Sequence, residues 1–128
     1  MNIDKFTLSS VLDKIDRNRV IPTFILKDNN QLIKMEWIHL LYIEVEGNYC
    51  VYHFNNKRIA IKNSLVKIIN EYKPNSPLIQ IHRNFAVNKH KISKVNTKES
   101  WLELNEVRIP IGAKYLNEVA IQYKFLSK

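Results

Sequence analysis

Apolar residues recur along this chain with two different spacings, and the spacing changes at Thr23. Before that point Leu8, Val11, Leu12 and Ile15 fall at i, i+3, i+4 and i+7, the stripe of an amphipathic helix over residues 7 to 15. Such a stripe packs on its own domain or on a partner, and the sequence leaves both open. The charged link Asp16-Arg17-Asn18-Arg19 and then Pro22 end the segment. Residues 1 to 22 are therefore read as a helical N-terminal extension, and residues 23 to 128 as one domain.

After Thr23 the period is two. Thr23–Lys27 and Gln31–Glu36 predict a hairpin around Asp28-Asn29-Asn30, residues that tolerate left-handed turn geometry. Leu41, Ile43 and Val45 alternate with Tyr42, Glu44 and Glu46, as one half-buried strand would. Glu46-Gly47-Asn48 turns into Tyr49–Phe54, and Asn55-Asn56 turns into Lys57–Ile61, which predicts an antiparallel meander. Ser64 can cap a short helix whose stripe is Leu65, Ile68, Ile69 and Tyr72, with Pro74 beyond its end. Leu78–His82, Ile92–Val95, Trp101–Leu104 and Val107–Ile109 are further strand candidates. A last helix carries Leu116, Val119, Ala120 and Tyr123 on its apolar side. The expected fold class is mainly β, with two or three short helices.

Composition narrows the function. The chain has 128 residues, enough for a real core, and 45% hydrophobic against 25% charged residues excludes a disordered polymer. A net charge of +8 speeds encounter with polyanions without naming one. Cys50 is the single cysteine, so no internal disulfide forms and a reducing, cytoplasmic setting is expected. The start of the chain lacks the apolar core of a signal peptide, and no run approaches the roughly 20 apolar residues of a membrane span. With only Gly47 and Gly112 available, neither a Walker loop nor a dinucleotide fingerprint can be built. Cys50 and His53 have a metal-like spacing, but on a strand they point to opposite faces. No catalytic grouping stands out, so the chain is expected to be no enzyme and to need no cofactor.

Three polar segments interrupt the buried runs: Glu46-Gly47-Asn48-Tyr49, His82-Arg83-Asn84 with the basic Lys89-His90-Lys91, and Gly112-Ala113-Lys114. The second lies in Ile81-His82-Arg83-Asn84-Phe85-Ala86-Val87-Asn88, read as a His-Arg pair leading into an aromatic–small–Val–Asn turn. Guanidinium, imidazole and amide groups on one short connection suit phosphates and base edges better than covalent catalysis.

In order along the chain these motifs resemble the LytTR-type DNA-binding domain of bacterial response regulators. The matching runs are Leu41-Tyr42-Ile43-Glu44 with Gly47-Asn48-Tyr49, then Asn63-Ser64-Leu65, then Ile81–Asn88 with Ile92, and finally Ile109-Pro110-Ile111-Gly112-Ala113-Lys114-Tyr115. The resemblance covers residues 23 to 125. It implies an elongated stack of small antiparallel sheets whose loops enter successive major grooves of duplex DNA. It further implies a transcriptional regulator, here without a receiver domain, that uses direct-repeat sites, pairs as a homodimer on DNA and answers to a separate sensor or regulatory protein. Carried over by position, the base-reading candidates are Asn48 or Tyr49, Arg83 with Asn84, and Lys114, while Tyr49, Lys89 and Lys91 more readily reach phosphate, and His82 and Gly112 count as DNA-binding positions, with the amides at Gly112 able to face a phosphate. Family members commonly carry Ser-Arg where this chain has Gly112-Ala113, and a serine where it has Asn84.

Each residue has a plainer reading. Arg83 can pair with Glu44, His82 can be a structural hydrogen bonder, Tyr49 or Tyr52 can be core filler, and Lys89 and Lys91 can be solvated charges, while Phe85 and Val87 belong to the core. Two rival functions remain, a protein-interaction module and an RNA-binding domain, and competition between duplex DNA and single-stranded RNA separates the latter from a DNA reader.

Overall fold

Two-residue turns set the register of most of this molecule. The computed structural model describes residues 21–126, so the helix expected over residues 7 to 15 lies outside the described residues. β1 (Thr23–Asp28) and β2 (Gln31–Glu36) form a two-stranded hairpin, with Asn29 at φ +54° in the turn. A single 3-10 turn, Trp37–His39, leads into β3 (Leu40–Glu46), β4 (Tyr49–Phe54) and β5 (Arg58–Lys62), the expected meander. α1 (Leu65–Tyr72) starts where expected, because Ser64 Oγ accepts the Lys67 N–H at 3.2 Å. β6 (Leu78–His82) and β7 (Phe85–Asn88) follow, then β8 (Lys94–Asn96), β9 (Trp101–Leu104), β10 (Val107–Pro110) and α2 (Leu116–Leu126).

All pairings are antiparallel, in a two-stranded sheet, a five-stranded sheet ordered β5-β4-β3-β7-β6 and a three-stranded sheet ordered β10-β9-β8. The five-stranded sheet is the middle layer. One face holds Ile43, Cys50, Tyr52, Phe54 and Ala86 against the hairpin and α1, where Phe24 stacks on Trp37 at 3.9 Å between ring centres. The other face holds Ile81 and Val87 against Leu102, Leu104 and Ile109 of the three-stranded sheet and Val119 of α2. Fully burying an aliphatic side chain contributes about 1.5–3 kcal/mol, so two aliphatic layers on one sheet make it the mechanical centre of the fold. The mainly β stack of small antiparallel sheets is thus present. Among the described residues no helix is long and apolar enough to cross a membrane.

Three readings change. Phe85–Asn88, taken as a turn, is a central strand, with Ala86, Val87 and Asn88 all buried. Its neighbours cover both faces, which erases the polar alternation that marks a half-buried strand. Leu41 does not share a face with Ile43 and Val45. The register shifts between Leu40 and Tyr42, so Leu40 joins the first core while Leu41 joins the second. The strand expected over Ile92–Val95 is likewise displaced, to Lys94–Asn96.

Candidate nucleic-acid interface

The middle sheet presents its turns at one end. β3 and β4 are joined by Gly47-Asn48, with Gly47 at φ +60°, and β6 and β7 by Arg83-Asn84. Because Glu44 pairs with Phe85, the last residues of β3 and the first of β7 lie side by side. The Val45 N–H donates to Asn84 O at 2.9 Å, which locks the two turns together. The third segment reaches the same place: the Gly112 N–H donates to Ile81 O at 2.8 Å. A Cβ built on Gly112 would sit 3.6 Å from His82 Cα and 3.1 Å from Tyr115 Cδ2, so the ring fills the space a side chain would need.

Arg83 is exposed, and among the described residues it has no ion pair or hydrogen bond. The pairing with Glu44 is not made. Glu44 Oε1 lies 3.0 Å from His53 Nε2, and Glu46 lies 3.6 Å from Arg58. His53 in turn stacks on Tyr42 at 4.2 Å. Burial pushes the Tyr42 hydroxyl above its ordinary range, Glu44 and Glu46 push the same way and Arg58 opposes them. His53 and the fully buried Cys50 face opposite sides of β4, as expected, and Cys50 Sγ donates to Asn63 O at 3.3 Å. Burial raises the Cys50 thiol as well.

His82 builds the turn. Its Nδ1 accepts the Asn84 N–H at 3.1 Å, which leaves the neutral ring's hydrogen on Nε2, and Phe85 meets it edge-on at 5.6 Å. The Asn84 side chain is half-buried, while Asn48 is exposed and Tyr49 is 48% exposed. Lys114 is exposed, with Nζ 5.1 Å above the Tyr115 ring.

Lys89 and Lys91 are not in this cluster. They follow Asn88 at the far end of β7, where the Lys89 N–H donates to Pro77 O, about 13 Å of strand away from the turn. The Asn88 side chain accepts the His90 N–H at 3.0 Å and folds residues 89–91 into a single turn.

Two cations that sequence reasoning missed do join the cluster. The Ile111 N–H donates to Ser100 O at 2.8 Å, bringing the turn between β8 and β9 alongside the third segment. Asn96 Oδ1 accepts the Glu99 N–H at 2.8 Å and shapes that turn, with Lys98 exposed within it. Lys62, paired in register with Tyr49, ends β5 at the same edge. A basic residue between turn-forming polar residues was the visible signal for Lys98. Nothing local, however, says at which end of the stack a turn emerges.

A family model described as the LytTr DNA-binding domain matches residues 30–123. Among solved structures, the LytTr DNA-binding domain of a protein described as a methyl-accepting/DNA response regulator from Bacillus cereus superposes with a TM-score of 0.63. The two share 19% identity, over 79% of this chain and 95% of that one, a likeness that speaks for the fold. A comparison with curated proteins finds no match. By the extent of the family match, the chain belongs to the LytTr DNA-binding domain family.

Proposed function

We propose that the chain is a sequence-specific transcriptional regulator that reads the major groove of duplex DNA through the turns at one end of its middle sheet. The observation that carries this reading is the convergence of those turns around Arg83, a guanidinium with no partner among the described residues. A free guanidinium can grip guanine O6 and N7 together, and the amides of Asn48 and Asn84 can do the same to adenine. Tyr49, Lys62, Lys98 and Lys114 are suited to phosphate, with Lys114 also in reach of a base edge.

Size supports the reading. Neighbouring strands lie about 4.8 Å apart and stacked sheets about 10 Å apart, so the row from β5 across to β6 spans roughly 19 Å, with the three-stranded sheet about 10 Å to one side of it. One turn of B-DNA is about 34 Å. A single copy therefore addresses less than one helical turn, and a longer direct-repeat site takes two copies.

Selection of bound duplexes from a random library, followed by anisotropy titration of the winner, tests the proposal. A discrete motif is expected, and Arg83→Ala should weaken binding to it by about 1–3 kcal/mol and relax its specificity. An equal loss on random DNA would reduce Arg83 to a phosphate contact and refute base reading.

A further inference from the structure

A cleft of about 760 Å³ opens at the end of the middle sheet away from these turns. Its apolar lining comes from Ile21, Pro22, Trp37, Ile38, Pro74 and Pro77. Ile21 is 61% exposed and Ile38 59%, so two large aliphatic side chains of one cleft are left to solvent. Lys89, His90 and Lys91 also line it, and among the described residues their side chains have no hydrogen bond or ion pair. None of these residues belongs to the turn cluster at the other end of the sheet.

The chain enters the described structure on the wall of this cleft. Pro22 O accepts the Trp37 N–H at 3.1 Å, which pins the entering strand there. The 20 residues before Ile21 carry the stripe Leu8, Val11, Leu12 and Ile15. We propose that the cleft receives this stripe of the chain's own N-terminal segment.

Two features select this occupant. Only Asp16 to Val20 separate the stripe from Ile21, and five residues reach no farther than about 18 Å. A tether that short holds the stripe at an effective concentration in the millimolar range, which a free ligand or second copy rarely matches. The chemistry also fits, because an apolar stripe meets a lining of aliphatic, aromatic and proline side chains. Docking there leaves the turn end free for duplex and links whatever engages the N-terminal segment to the opposite pole of the domain.

A nitroxide on the full chain tests this. The label goes on at Ser9→Cys, beside the stripe, because Cys50 is fully buried and does not compete for the reagent. The amide signals of Ile38, Asn75 and Lys89 should be quenched and those of Arg83 and Lys98 spared. Adding Leu12→Asp should restore the quenched signals. Unquenched cleft amides would overturn the proposal, as would quenching that survives Leu12→Asp, since proximity would then come from the tether alone. Quenching that appears only when labelled chains are mixed with isotope-enriched unlabelled ones would assign the cleft to a second copy instead.

Discussion

Four polar side chains within one short motif do four different jobs. Arg83 has no partner among the described residues, His82 ties its own turn, Asn84 sits half-buried beside it, and Asn88 holds the other end of β7. Asn88 is the buried polar residue among the described ones, 2% exposed, and its amide is fully used. Nδ2 donates to Trp37 O at 2.9 Å and to Leu40 O at 3.0 Å, while Oδ1 accepts from His90. The motif was legible as a motif, yet a side chain's role within it depends on which end of a strand it occupies. Asn88→Ala would strip Leu40 O of its side-chain donor at about 1–3 kcal/mol, while Trp37 O keeps the Leu40 N–H. A loss of about 1–3 kcal/mol in urea denaturation is expected, with discrimination between DNA sites unchanged. Lost discrimination at intact stability would instead make Asn88 a reader.

At the scale of elements, the legible parts were those with one face in water. The hairpin, the meander and both described helices follow from alternation, turn residues and the Ser64 cap. What escaped was β7, covered on both faces, and the side on which Leu41 falls, because a bulge breaks the period of two without a sequence mark. The glycines divide in the same way. Gly112 has φ −66°, which any residue adopts, so its constraint is the Tyr115 ring. Gly47 has φ +60° with nothing within 4 Å of a built Cβ, so its constraint is backbone alone. Gly47→Ala should therefore cost about 1–2 kcal/mol through the left-handed conformation. Gly47→Asn should recover part of it, since asparagine enters that region more readily. Thermal melts of the two variants decide the matter. An equal loss for both would mean that the turn is held by contacts and not by its backbone angles.

The whole molecule sorts its cations by end, and this partition could not be read along the chain. Lys89 lies six positions from Arg83 and Lys98 fifteen, yet the nearer residue is at the opposite pole and the farther one is alongside. If duplex DNA lies across the turn end, Lys62, Lys98 and Lys114 are the cations that meet phosphate and displace counterions. Log affinity then falls linearly with log salt, with a slope of roughly −3 per copy, since each neutralised phosphate contributes about −0.9. Lys98→Ala should remove about one unit of that slope and weaken every duplex alike, as a phosphate contact does. Lys89→Ala should leave the slope where it was, because its charge stands about 13 Å of strand away from the turns, beyond a Debye length of about 8 Å at physiological salt. The pair discriminates between two orientations of the same basic protein on DNA. A full unit lost with Lys89→Ala and none with Lys98→Ala would move the duplex to the cleft end and take Arg83 out of the interface.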